Sequence, residues 1–164
     1  MAEYYQNEHY SLIGKIVVNF ARLEEEITIA ICKVTEMDII ICKVLLADIP
    51  FFRLYQKFRW LYYDAKISKP PKEVVDAVFK ELDDLRILRN KIAHWLWQYD
   101  YSEEVLDGWT FTTKEIGKPI REIRLTLSEL TEINPRIERS IKNVSDLLPD
   151  WKPENNQTEP PKSD

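Results

Sequence analysis

Glycine is scarce in this chain, with three among 164 residues. An all-β fold of short strands needs glycine at many tight turns, so this scarcity favours long helices. Hydrophobic residues make up 45% and charged residues 31% of the sequence, which is typical of a globular chain. We assign residues 1–148 to one domain. Residues 149–164 are rich in proline, asparagine and charge, and they predict a disordered tail.

Cysteine and histidine are also scarce, with two of each. Cys32 and Cys42 lie in separate apolar stretches and form no CxxC motif, so we interpret them as reduced core residues. His9 and His94 are far apart in the sequence, and no spacing typical of metal ligands is present. The sequence therefore predicts neither a metal site nor another cofactor.

The chain lacks both an excess of positive charge and a long apolar run. Its formal net charge is -5, so any RNA binding would depend on a local basic patch. The longest apolar stretches, such as residues 39–42 and 44–46, are too short to span a bilayer. The N-terminal ten residues do not have the charged and then apolar pattern of a secretory signal. We therefore expect a cytoplasmic protein without membrane contact.

Apolar residues recur at helical spacing in five segments. These segments predict helices over residues 11–34, 37–47, 51–65, 72–99 and 129–148. Ser128 is the predicted N-cap of the last helix, in which Pro135 would either cause a kink or mark the first turn. Alternating residues on both sides of Gly117-Lys118-Pro119 predict a small β-hairpin over residues 108–125. The predicted fold class is all-α, with about five helices and the hairpin before the last of them.

One stripe of the fourth predicted helix is apolar except for an arginine, at about 100° per residue. The stripe consists of Val75, Val78, Leu82, Leu85, Arg89, Ile92 and Leu96. A charge in a buried stripe is costly unless it is paired. Arg89 therefore either pairs with an acid such as Glu24, Glu25 or Glu26, or lies in a cleft or subunit seam where it binds phosphate.

A second line of polar residues on the same helix contains Asn90 and His94. His94 lies about 140° around the helix from Arg89, and one turn from Asn90, whose amide could orient the imidazole. Since histidine titrates near neutral pH, the chemistry that we expect of His94 is proton transfer. Arg86 and Lys91 flank this line and could attract an RNA backbone. The alternative is an ordinary surface pair beside two solvated cations.

The sequence Arg-Asn-Lys-Ile-Ala-His at residues 89–94 resembles the R-(N/D/H)-x3-H motif of the HEPN superfamily (higher eukaryotes and prokaryotes nucleotide-binding). The sequence Phe-Ala-Arg-Leu-Glu at residues 20–24 is also similar to that of several bacterial HEPN families. This resemblance implies an up-and-down helical bundle that dimerises across the motif helices. Many members of the superfamily are metal-independent endoribonucleases of toxin–antitoxin or defence systems, so the resemblance also implies that activity and setting for this chain.

The resemblance further implies a role for each motif residue. Arg89 would stabilise the phosphate, Asn90 would be its polar companion, and His94 would transfer protons. The expected partners are RNA, a second copy of the chain, and an antitoxin or a larger defence complex. Two other functions fit the sequence: a non-catalytic HEPN module that binds a nucleotide, RNA or protein, and a helical interaction protein in which Arg89 belongs to a buried ion pair.

Overall fold

A computed structural model describes residues 2–65, 70–94, 96–111 and 119–148 of the chain. Its helices are α1 (Ala2–Thr35), α2 (Ile39–Leu46), α3 (Phe51–Asp64), α4 (Lys72–His94) and α5 (Leu127–Asp146). Its strands are β1 (Leu96–Asp100), β2 (Val105–Phe111) and β3 (Pro119–Leu125). The predicted helical bundle with strands before its last helix is thereby confirmed. The predicted tail at 149–164 and the turn residues Gly117 and Lys118 lie outside the described residues.

Helix α1 is central to the bundle, because it contacts each of the other four helices. Its apolar residues recur every three or four positions and are buried: Ile16, Phe20, Leu23, Ile27 and Ile31. The helix begins at Ala2 rather than at residue 11. The additional turns pack against the sheet, since the ring of buried His9 lies 5.1 Å from that of Tyr99. None of the described helices is long and apolar enough to cross a bilayer.

Helix α4 ends at His94, so the prediction that it continues to residue 99 is wrong. Leu96, which we assigned to the apolar stripe of the helix, is instead the first residue of β1 and is exposed. The indole Nε1 of Trp97 donates to the carbonyl oxygen of Ile92 at 3.0 Å. This bond satisfies a carbonyl that a continuing helix would have bonded internally, and it stabilises the early end of α4.

The three strands form one antiparallel sheet in the order β1-β2-β3. The β2–β3 pair is the predicted hairpin, although β2 begins at Val105 rather than at residue 108. The buried carboxylate of Asp107 accepts a hydrogen bond from Nε of Arg124 across this pair, at 3.0 Å. β1 adds the third strand, which we had assigned to the fourth helix.

Helix α5 begins with a capping box, in which Thr126 and Glu129 bond each other's backbone N–H. Thr126 is thus the N-cap, and the prediction of Ser128 is wrong. Pro135 lies inside the helix, so it does not mark the first turn. Buried Leu130 and Ile133 secure the turns that precede the proline.

We expect Thr126→Ala to lower the free energy of unfolding by about 1 kcal/mol, because it removes the N-cap acceptor. Urea unfolding measures this loss. Thr131→Ala in the same helix is the matched control and should change stability little, since alanine favours the helix interior. Equal losses in the two variants would contradict a capping role for Thr126.

The capping box also predicts a pH dependence. Hydrogen bonds from the backbone N–H and the hydroxyl of Thr126 hold the pKa of the Glu129 carboxyl below its ordinary value. The folded protein therefore binds this proton more weakly than the unfolded chain, so the stabilisation is complete above the ordinary pKa and is lost as pH falls through the lowered one. The stability difference between the native chain and Glu129→Gln should accordingly shrink between about pH 7 and about pH 3.

Candidate functional site

The residues of the motif occupy the last two turns of α4. Leu85 and Ile92 are buried on either side of Arg89 along the helix stripe, as the sequence predicts. Arg89 itself is half-buried, and Asn90 is exposed. His94 is the last helical residue, and its side chain lies outside the described part of the structure. The predicted contact between Asn90 and His94 therefore stays a prediction.

Arg89 pairs with Glu24 of α1, which was one of the three acids that the sequence offered. Nη2 of Arg89 lies 3.6 Å from Oε1 of Glu24, with 32% and 34% of the two side chains exposed. Burial raises the pKa of the Glu24 carboxyl, and the positive charge of Arg89 partly offsets that rise. A distance of 3.6 Å is too long for a good hydrogen bond. The guanidinium therefore keeps N–H donors with which it could bind a phosphate.

Arg86 and Lys91, the two predicted RNA-binding cations, have different surroundings. Nε of Arg86 donates to Oδ1 of Asp83 at 2.9 Å, and the guanidinium carbon lies 5.1 Å from the ring centroid of Phe52. Arg86 thus faces helix α3. Lys91 is half-buried and does not line the cavity beside Arg86.

That cavity is a groove between α3 and α4, and its volume is about 540 Å³. We call it the α3–α4 groove; its lining residues are Phe52, Tyr55, Gln56, Arg59, Asp76, Phe79, Lys80, Asp83 and Arg86. Apart from Arg86, none of these residues was predicted from the sequence to belong to a functional site. One signal was present, because seven of the 14 residues of α3 are aromatic and three are Lys or Arg.

Helix α2 exposes an apolar face that consists of Ile40, Ile41, Val44 and Leu45, each between 55% and 72% exposed. Helix α2 also contacts the part of α1 that holds the partner of Arg89. Lys43 of α2 pairs with Glu25 at 2.7 Å, next in sequence to the partner of Arg89. Glu24, Lys43 and Leu46 also line a common cavity of about 250 Å³.

The described residues contain no group of three or more His, Cys, Asp and Glu that is arranged to hold a metal ion. No family model, curated protein or solved structure matches the chain. The HEPN resemblance therefore stays a prediction from the sequence motif.

Proposed function

We propose that this chain is a metal-independent endoribonuclease of the HEPN type that acts as a homodimer. The observation that carries the proposal is the position of Arg89. It interrupts the buried stripe of α4, keeps about a third of its side chain exposed, and pairs with Glu24 only at 3.6 Å. A guanidinium in this state can exchange a carboxylate for a phosphate, which it binds with two parallel hydrogen bonds.

The proposed reaction uses the 2′-hydroxyl of RNA as the nucleophile. His94 takes the proton of that hydroxyl, the O2′–P bond forms, and the P–O5′ bond breaks as the leaving oxygen takes a proton from water. Arg89 stabilises the negative charge that develops on the non-bridging oxygens. The products are a 2′,3′-cyclic phosphate and a 5′-hydroxyl. DNA lacks the attacking group and is not a substrate for this reaction.

Two copies of the chain would bring the two residues to one phosphate. Arg89 and His94 lie about 140° apart around a single helix, so one copy presents them in different directions. A two-fold axis beside α4 would place Arg89 of one copy opposite His94 of the other. The α2 face supports a dimer, because it is an exposed apolar surface on the helix whose Lys43 pairs with Glu25.

The biological setting that we propose is a toxin–antitoxin or defence system, with an antitoxin or a larger complex as the controlling partner. The second candidate function is a non-catalytic HEPN module that binds RNA, a nucleotide or a protein. The formal net charge of -5 favours this candidate, because an acidic chain attracts an RNA substrate weakly.

Cleavage of RNA in excess EDTA distinguishes the two functions. We expect the native chain to cleave RNA under these conditions, and Arg89→Ala and His94→Ala each to lose about 10²- to 10⁴-fold in rate. Arg139→Ala, which removes an exposed arginine of α5, is the matched control and should retain the native rate. DNA of the same sequence should stay intact.

Two results would contradict the proposed ribonuclease. Cleavage that persists in folded His94→Ala would indicate another site or a contaminant. Tight RNA binding by the native chain, without cleavage or a cyclic phosphate product, would establish the non-catalytic module instead. Thermal melts of each variant separate a loss of chemistry from a loss of fold.

A further inference from the structure

The α3–α4 groove has the chemistry of a binding site. It is an open surface groove with a volume of about 540 Å³. Buried Tyr55 and Phe79 form its apolar part. Arg59, Lys80 and Arg86 line the same groove. Aromatic surface surrounded by cations suits a ligand that has both flat rings and negative charge.

The two arginines of the groove are held by aromatic rings. The guanidinium carbon of Arg59 lies 5.6 Å from the ring centroid of Phe79, and that of Arg86 lies 5.1 Å from the centroid of Phe52. Contact with a ring face orients a guanidinium without using its N–H donors. Arg86 donates Nε to Asp83 and also interacts with the Tyr55 hydroxyl. Since a guanidinium has five N–H donors, others remain for phosphate oxygens.

Two carboxylates in the groove are already engaged by hydrogen-bond donors. Asp83 accepts from the hydroxyl of Tyr55 at 2.7 Å and from Arg86, and these bonds lower the pKa of its carboxyl. Asp76 accepts from the hydroxyl of Tyr63 at 2.5 Å. The three cations Arg59, Lys80 and Arg86 outnumber these two acids in the groove lining. The two carboxylates can also accept hydrogen bonds from the N–H groups of nucleobases.

Helix α3 adds exposed rings and further positive charge beside the groove. Trp60 is 69% exposed, and Phe52 and Tyr63 are also exposed. The exposed cations Arg53 and Lys57 lie on the same helix. With Arg59, Lys80 and Arg86 of the groove, these cations would supply the local positive charge that a chain of net charge -5 needs for RNA binding. Exposed rings favour single strands, whose bases are free to stack on them.

On the basis of the proposed ribonuclease function, we propose that the α3–α4 groove binds single-stranded RNA and leads it to the end of α4. Arg86 lines the groove and lies three residues, or about 4.5 Å along the helix axis, before Arg89. An RNA strand whose phosphates are bound by Arg59, Lys80 and Arg86 would thus extend toward the motif. Bases would stack on the aromatic side chains of α3.

Fluorescence anisotropy with a labelled, single-stranded 2′-O-methyl oligoribonucleotide tests this site, because the methylated strand cannot be cleaved by 2′-hydroxyl attack. We expect the double variant Arg59→Ala/Lys80→Ala to raise the dissociation constant about tenfold or more and to reduce the slope of its salt dependence by about one to two. Both side chains are exposed, so the fold should persist. The matched control is Arg139→Ala/Lys142→Ala on α5, which should bind like the native chain.

Failure of the groove and failure of the ribonuclease give different results. Groove-dependent binding by a chain that cleaves nothing would support the groove and contradict the proposed function. Equal affinities of the groove and control double variants would overturn the groove, whether or not RNA is cleaved. Equal competition by a duplex of the same length would overturn its preference for single strands. In Arg89→Ala/His94→Ala the remaining affinity should still fall when Arg59 and Lys80 are replaced, because this variant leaves the groove intact.

Discussion

Co-expression of Arg89→Ala with His94→Ala is expected to restore RNA cleavage that neither variant has alone. In a mixed dimer, one composite site contains both substitutions, whereas the other combines the native Arg89 of one copy with the native His94 of its partner. Random pairing makes about half of the dimers mixed, each with one intact site of two, so about a quarter of the native rate should return. Initial rates in EDTA, normalised to total protein, measure this recovery.

The α2 face provides the control for this experiment. Val44→Glu, introduced into both chains, places a charge on that face and should prevent both dimerisation and the recovery of cleavage. Val74→Glu is the matched substitution of an exposed valine in the first turn of α4, about 22 Å along the helix from Arg89, and should leave both intact. Mixed dimers that stay inactive would show that each site is built within one chain. A monomer at high concentration would contradict the shared site altogether.

Phe58→Ala is expected to cost about 3–5 kcal/mol of folding free energy, the largest stability loss that we predict. Phe58 is fully buried on α3, and its ring centroid lies 5.8 Å from that of Tyr62 and 5.5 Å from that of Phe79. The truncation leaves a cavity between α3 and α4 and removes ring contacts from both helices. The total free energy of unfolding of a small domain is only about 5–15 kcal/mol. The variant should therefore unfold at a much lower urea concentration than the native chain.

Trp60→Ala on the same helix is the matched control for Phe58→Ala. Its side chain is 69% exposed, so its loss should change stability by no more than about 0.5 kcal/mol. Unfolding should be followed by circular dichroism, because Trp60→Ala also alters tryptophan fluorescence. Similar losses in the two variants would mean that the aromatic cluster of Phe58, Tyr62 and Phe79 does not stabilise the bundle.

Four of the helices could be predicted from the sequence because each buries a stripe that repeats at the helical period, whereas α2 buries only Cys42. The ends of the helices depend on other contacts. Leu96 continues the stripe of α4 by spacing alone, whereas the bond from Trp97 to the Ile92 carbonyl and the pairing of β1 with β2 end the helix first. The N-cap of α5 was easier to predict from the sequence. Thr126 and Glu129 have the spacing of a capping box, and that pattern distinguishes Thr126 from Ser128.

The candidate site was predictable only where a single helix carries it. Arg89 interrupts an apolar stripe, so its position in the sequence is enough to mark it as a candidate site residue. The sequence also limited its possible ion-pair partners to three neighbouring acids of α1. The α3–α4 groove combines residues between positions 52 and 86 on two helices, and no local spacing rule connects them. Half of α3 is aromatic, but periodicity does not say which of those rings pack inside and which stay exposed.

The Glu24–Arg89 pair has a consequence for the ligands that can reach this arginine. The carboxylate is attached to the same fold, so its effective concentration beside the guanidinium exceeds that of most small anions in solution. A free phosphate or chloride ion has no second contact with the protein that would hold it beside Arg89. Such an ion should therefore displace the Glu24 carboxylate poorly. A polyanion that is already bound elsewhere on the surface holds one of its phosphates beside Arg89, at an effective concentration comparable to that of the Glu24 carboxylate. Glu24 would therefore act as a tethered competitor that selects long polyanions over small ones.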